Sequence, residues 1–221
     1  MTKHVVVTGA NKGIGLNLCK QYSAKGYRVT AVVRTPSEEL QALDVKIISD
    51  IDVSNADDVA TLANYLHGDT IDILVNNAGI FHNETFADMD FAAIEKQINV
   101  NSIAPIRITH ALQQSLGIDA KVAMITSRMG SIADNGSGGY IGYRMSKAAL
   151  NAASVSLAYE LKDKKIAVGL FHPGFVQTQM VNFAGDISPE TAAERLIKRI
   201  DELNLSNTGG FWHSNGETLP W

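Results

Sequence analysis

The chain has 221 residues, 45% of them hydrophobic, with 19 Lys and Arg against 23 Asp and Glu and a formal net charge of −4. That length suits one α/β domain with a sizeable core. A slightly acidic balance without a block of like charge argues against a nucleic-acid partner, and Cys19, the only cysteine, excludes an intramolecular disulfide and a Cys-rich metal site and fits a reducing, cytoplasmic setting.

Met1-Thr2-Lys3-His4 runs straight into Val5-Val6-Val7, too abruptly for a signal peptide. No stretch approaches the roughly 18 apolar residues that span a bilayer. The three valines read as a strand apolar on both faces, as a central parallel strand is. Thr8-Gly9-Ala10-Asn11-Lys12-Gly13-Ile14-Gly15 follows, then an amphipathic helix to about Lys25. Strand, glycine-rich turn and helix form the context in which such glycines bind a dinucleotide. Gly9 permits the tight turn, Gly13 lets the backbone approach a pyrophosphate, and Gly15 lets helix and strand pack closely. The spacing is GxxxGxG rather than GxGxxG, so the glycines alone are also compatible with an ordinary βα turn.

A second strand, Arg28 to Val33, ends in Arg34, where an NAD-binding unit places a carboxylate for the ribose 2′-hydroxyl. Arg34 and Lys12 put two cations at this edge instead. Ammonium and guanidinium groups bind phosphate strongly, so the charge logic favours NADP(H) over NAD(H). A third strand, Val45 to Ser49, leads to Asp50-Ile51-Asp52-Val53. A carboxylate here either accepts from an adenine amino group or caps the helix that begins near Ala56 and runs to His67. The fourth strand, Ile71 to Val75, ends in Asn76-Asn77-Ala78-Gly79, small residues and amides suited to close backbone packing against a ligand or a neighbouring turn.

A helix from about Phe91 to Ser115 contains Asn99-Val100-Asn101. The fifth strand, Ala120 to Thr126, delivers Ser127 to its carboxyl end, where open α/β sheets place ligands. A hydroxyl there can donate to a carbonyl oxygen and stabilise developing negative charge. Ser131 is a second hydroxyl candidate, read as a loop residue, and Asp134 to Gly139 should form a loop near the site. The next helix, Ile141 to Asp163, carries Tyr143-Arg144-Met145-Ser146-Lys147. Its phenol and ammonium lie on one face, one turn apart. A cation beside a phenol lowers its pKa from about 10 and equips it for acid–base chemistry. Tyr140 is an alternative, but Arg144 rather than a lysine stands four residues after it. A sixth strand, Ile166 to Phe171, precedes the turn His172-Pro173-Gly174, with His172 read as structural. Met180, Phe183 and Ala184 mark a short segment before Ser188. Pro189 to Leu203 reads as a helix capped by Ser188, and Gly209 to His213 as an edge strand. The histidines show no metal-binding spacing.

Four motifs in this order, TGANKGIG, NNAG, a serine upstream of YxxxK and PG one strand later, span about Val5 to Met180. With them the chain resembles the short-chain dehydrogenase/reductase family. Ser127 to Asn135 and Gly216 to Trp221 carry a narrower likeness to the small carbonyl reductases of the C-signal and sniffer type. The resemblance implies one Rossmann-type, doubly wound parallel β-sheet domain over residues 1–221, helices on both faces and a short substrate lid near 179–188. It implies an NAD(P)-dependent oxidoreductase that reduces an aldehyde, ketone or quinone to an alcohol. Tyr143 would be the general acid, and Lys147 would depress its pKa and bind the nicotinamide ribose. Ser127 would steady the substrate oxygen. Asn101, in preference to Asn99, would open its helix locally and hold a proton-relay water. Cofactor contacts are implied at Gly9, Asn11, Lys12, Gly13, Ile14, Gly15, Arg34, Asp52, Val53, Asn77, Ala78, Gly79, Tyr143, Lys147, Pro173, Gly174, Val176 and Thr178. The partners implied are a small carbonyl or alcohol substrate and a second copy of the chain, as dimer or tetramer. Ala148, Ala149, Ala152 and Ala153 would let the helices approach at that interface. The other reading is a cofactor-binding signalling protein of C-signal type, against which the complete set Asn101, Ser127, Tyr143 and Lys147 weighs.

Overall fold

Short apolar runs separated by amphipathic helices can satisfy their backbones as a parallel sheet covered on both faces. The computed structural model describes residues 2–221. Its strands are β1 (His4–Thr8), β2 (Arg28–Val32), β3 (Lys46–Ile48), β4 (Ile71–Asn76), β5 (Leu116–Ile125), β6 (Ala167–His172) and β7 (Phe211–His213). They form one sheet in the order β3-β2-β1-β4-β5-β6-β7, every neighbouring pair parallel. The helices are α1 (Gly13–Ala24), α2 (Glu38–Gln41), α3 (Ala56–Tyr65), α4 (Phe91–Ile98), α5 (Ala104–Ala111), α6 (Ile141–Glu160) and α7 (Pro189–Glu202). This is the doubly wound order, and its reversal between β1 and β4 opens a crevice at the carboxyl ends of the strands.

The pleat divides the core in two. Val5 and Val7 join Leu16, Leu18, Leu196 and Ile197 under α1 and α7, whereas Val6 joins Leu62, Leu74, Ile108 and Leu150 on the other face. Cys19 of α1 is fully buried, and burial pushes its thiol up to about 12. α7 buries Ala192, Ala193, Leu196, Ile197 and Ile200, a helical stripe, and the Ser188 hydroxyl accepts from the Thr191 amide at 3.1 Å as its cap.

Several elements differ from the sequence expectation. α2 was not anticipated; it is one turn long and buries only Leu40, too little to leave a periodic signal. β5 begins at Leu116 rather than Ala120. Asp119 adopts φ +62° within this strand, whose register against β4 shifts between Ile71 and Ile73. The single helix expected from Phe91 to Ser115 is α4, a π-helical turn at Asn99–Ile103, and α5, in keeping with the local opening implied at Asn101. The cap of α3 is Asn55, whose Oδ1 accepts from the amides of Asp57 at 2.8 Å and Asp58 at 3.2 Å, and not Asp52. Asp52 instead turns back on Ser54. Among the described residues no helix is long and apolar enough to cross a membrane.

Candidate active site

The crevice is built by three turns pressed together. Gly9 has φ +64°, and a Cβ there would lie 2.7 Å from the Cα of Ala78. Only glycine allows the turn after β1 to seat on the turn after β4. Asn77 ties the two together: its Nδ2 donates to the carbonyls of Thr8 at 3.0 Å and Gly9 at 3.1 Å. The Thr8 hydroxyl accepts from the amides of Asn77 and Ala78, both at 3.1 Å. Gly13, at φ +56°, brings the glycine-rich turn against Thr178, whose methyl would lie 3.3 Å from an added Cβ. At Gly15 an added Cβ would run into the Gly9 carbonyl and approach Asn77 Nδ2 to 2.6 Å. Neither neighbour is a flexible tip, so Gly15→Ala should destabilise the protein by about 1–3 kcal/mol, the usual cost of overpacking. Thermal unfolding beside wild type checks this, and an unchanged midpoint would contradict the packing described.

At the β2 edge, Arg34 is 74% exposed in its side chain and places Nη1 3.9 Å from Asp52 Oδ2. The Asp52 carboxylate accepts from Ser54 Oγ at 2.6 Å and the Ser54 amide at 2.9 Å; these bonds first, then Arg34, hold it below the ordinary carboxylate range. Val53 is buried beside it. The Lys12 ammonium donates to the Gln179 side chain, joining the glycine-rich turn to the segment after β6. The Asn11 carbonyl accepts from Ser37 at 2.8 Å, while Asn11 Oδ1 is buried without a partner.

Ser127 follows β5 and starts a 3₁₀ turn, Arg128–Gly130, its Oγ accepting from the Met129 amide at 3.1 Å. Its hydroxyl also hydrogen-bonds Tyr143, so it is Tyr143 and not Tyr140 that the fold brings to the serine. Ser131 accepts from the Asp134 amide at 3.0 Å, a loop role as read. Lys147 is buried, donates to the Ile125 carbonyl at 3.0 Å, and stands 5.9 Å from the Tyr143 ring centroid. Asn101 is fully buried in the π-helical turn. Its Oδ1 accepts from the Ile80 amide at 2.8 Å, and its Nδ2 donates to the Ile80 carbonyl at 2.9 Å and to Ser146 Oγ at 3.0 Å. A Cβ on Gly79 would lie 3.2 Å from Asn101 Oδ1 and 3.8 Å from Lys147 Nζ, so this glycine sets how closely β4's turn approaches both. Asn101, Ser127, Tyr143 and Lys147 therefore converge at one end of the sheet.

The electrostatics correct one expectation. Burial pushes Tyr143 up to about 12, opposed by the Ser127 hydrogen bond, and pulls Lys147 down to about 8. Desolvation of the phenolate dominates, and the ammonium, 5.9 Å from the ring centroid, is engaged by the Ile125 carbonyl. The phenol is thus held protonated through the neutral range. His172 is pulled down to about 3 by burial, packs edge-on against His213 with centroids 4.9 Å apart, and stays neutral as a structural residue.

Pro173 accepts from Ser214 at 2.8 Å, and Gly174 has φ +99°. Val176 is buried and bridged in parallel to Ile187, which closes residues 177–186 into a flap whose Met180 and Phe183 are largely exposed. Sequence reasoning missed Thr8, Ser146 and Phe81. Phe81 packs edge-on against Tyr143 at 5.0 Å and against Tyr140 at 5.7 Å. The usable signal for Thr8 was a hydroxyl on the last strand residue before the first glycine; Ser146 and Phe81 left none.

The family model described as short chain dehydrogenase matches residues 3–189. The chain is 36% identical over 223 residues to 1-hydroxy-2-glutathionyl-2-methyl-3-butene dehydrogenase of Rhodococcus sp., covering 98% of this chain and 99% of that protein. It is 37% identical to C-signal of Myxococcus xanthus over 154 residues, 68% of this chain and 93% of that one. Its fold superimposes on the NADPH-bound carbonyl reductase from chicken fatty liver with a TM-score of 0.90, at 26% identity over 100% of this chain and 99% of the other. With the strand order, the three joined turns and these likenesses together, the chain belongs to the short-chain dehydrogenase family of oxidoreductases.

Proposed function

We propose that the protein is an NADPH-dependent carbonyl reductase with Tyr143 as its general acid. The observation that carries this reading is the convergence of Ser127 and a protonated Tyr143 at the carboxyl edge of the sheet, backed by Lys147 and Asn101. The residues fit a dinucleotide. What supports the fit is the partnerless Asn11 Oδ1, the Gly13 turn against Thr178, and the cations Lys12 and Arg34 in the segments that follow β1 and β2. A reduced nicotinamide, when bound, supplies the hydride.

The chain's own residues do the rest. The Ser127 hydroxyl donates to the carbonyl oxygen and stabilises the charge that grows there. The phenol of Tyr143 gives that oxygen its proton. Lys147 is the candidate for the nicotinamide ribose and for restoring the tyrosine proton, and Asn101 fixes the π-helical turn beside it. Backbone at Gly9, Gly13, Ile14 and Gly15 would hold the pyrophosphate, Asp52 and Val53 the adenine end, and Ala78, Gly79, Pro173, Gly174, Val176 and Thr178 the nicotinamide half. The flap at residues 177–186 is the candidate substrate lid. Phe91, Ile103 and Tyr159, exposed on the α4 to α6 side, support a homo-oligomer, and the lone, buried Cys19 suits a reducing, cytoplasmic setting.

Titration with NADPH and NADH, followed by nicotinamide fluorescence, tests the cofactor preference. NADPH should bind at least tenfold more tightly, since charge-assisted bonds to a phosphate contribute about 1.5–3 kcal/mol each. Lys12→Ala combined with Arg34→Ala should erase the difference by weakening NADPH alone. Equal binding by wild type would overturn it. Alcohol oxidation is the second reading, favoured by the dehydrogenase likeness, and the same four residues would serve it at alkaline pH. Were the protein instead a signalling protein like C-signal, a Tyr143→Phe variant would keep full signalling activity.

A further inference from the structure

Beside the reacting groups lies a second feature that the reductase chemistry does not use. A pocket of about 270 Å³ is lined by Arg128, Met129, Asp134, Ser137, Tyr140 and Arg144. That is near the lower edge of small-molecule sites, roughly 300 Å³. It adjoins the proposed catalytic residues through the chain itself, because Arg128 directly follows Ser127 and Arg144 directly follows Tyr143. The Tyr140 ring on its wall meets Phe81, which in turn meets Tyr143.

The pocket's charge is unbalanced. Two guanidinium groups face it against one carboxylate. Asp134 takes only the Nε of Arg128, at 2.8 Å, and the two terminal nitrogens of that side chain donate to nothing among the described residues. Arg144 has no acidic partner among those residues. Its donors go to neutral acceptors: the Gly139 carbonyl at 3.2 Å, Ser137 Oγ at 3.0 Å, the Gly138 carbonyl at 3.4 Å and the Met129 carbonyl at 3.5 Å. Gly138 and Gly139 both adopt left-handed φ, +64° and +67°, which lets their carbonyls turn in toward Arg144. The loop from Asp134 to Gly139 is thereby folded around a cation that no carboxylate neutralises, next to a second whose forked end is free. Paired guanidinium groups match a carboxylate in charge and in geometry.

We propose that this pocket is an anion subsite, and that the substrate carries a carboxylate remote from the carbonyl that is reduced. The proposal rests on the reductase reading and narrows it to oxo-acids and aldehyde-acids.

Steady-state reduction of para-carboxybenzaldehyde and of its methyl ester tests it. Wild type should favour the acid by about tenfold in kcat/KM, chiefly through KM, and raising the salt concentration should shrink that advantage by screening. In Arg128→Gln the acid-to-ester ratio should fall to about one, and a ratio is insensitive to general damage. A wild-type ratio near one, or a ratio that neither salt nor Arg128→Gln changes, would overturn the subsite while leaving the reductase reading standing. Calorimetric titration with para-carboxybenzyl alcohol separates the two claims. If neither aldehyde is turned over, the reductase reading fails, and Arg128-dependent binding of this acid would still uphold the subsite; its absence would remove both.

Discussion

Tyr143→Phe should lower kcat for carbonyl reduction by about a hundredfold to ten-thousandfold, the span of general acid catalysis, with nicotinamide affinity changed little. The ring keeps its edge contact with Phe81, so the substitution removes the hydroxyl and not the packing. What is lost is the donor that burial holds protonated through the neutral range, against the opposing pull of the Ser127 bond. Since the phenol stays protonated up to about pH 12 in the cofactor-free protein, the wild-type rate should not fall for want of that proton between pH 6 and 9. Single-turnover oxidation of bound NADPH, with affinity measured separately by fluorescence, distinguishes loss of the acid from loss of binding. Turnover close to wild type would end the assignment.

Lys147→Met should act in opposite directions on activity and stability. Turnover should collapse, because the ammonium beside Tyr143 is the candidate for holding the ribose and restoring its proton. The cofactor-free fold should become more stable near pH 7. Burial depresses the Lys147 pKa from 10.5 to about 8, so keeping this charge in the folded state costs up to roughly 3 kcal/mol. The lost hydrogen bond to the Ile125 carbonyl, about 1 kcal/mol, takes back part of the gain. A net gain of about 1–2 kcal/mol follows. The sign of the pH dependence is fixed by proton counts. Between pH 8 and 10.5 the unfolded chain holds the Lys147 proton and the folded chain has released it, so wild-type stability rises with pH there. Tyr143 works the other way above pH 10, where the folded state keeps a proton that the unfolded state gives up. The advantage of the methionine variant should therefore shrink from pH 8 upward and be gone near pH 10. Thermal melts of both proteins across that range decide it. A variant less stable than wild type at pH 7 would show that the lysine's bond to Ile125 outweighs its desolvation.

The local rules that made the fold legible are strong ones. Val5-Val6-Val7 reads as a strand by itself, whereas the glycines of the first turn and the YxxxK spacing, ambiguous singly, gain their meaning from occurring in order along one chain. The backbone geometry of Gly9 and Gly13 and the shared face of Tyr143 and Lys147 follow directly. The parts that escaped depend on partners distant in the chain. Thr8 matters only because β4 ends beside it, and Asp119 is a strand residue only because β4 accommodates a register shift. The phenol's acidity was misjudged for a related reason. Spacing shows that a cation is near, whereas the desolvation that outweighs it depends on how distant segments close around the half-buried ring.

The strand order also governs how the protein comes into being. β1 forms local pairs with β2 but gains its other neighbour only when β4 arrives, and Val5 then aligns with Ile73 across a long stretch of chain. Closing such a loop before any reward is gained makes parallel pairing slow. The Thr8 to Asn77 clasp sits at that seam, so a chain with β1 and β2 already joined would still lack a crevice for nucleotide. Recovery of nucleotide binding during refolding would then time the meeting of β1 and β4, not the collapse that precedes it.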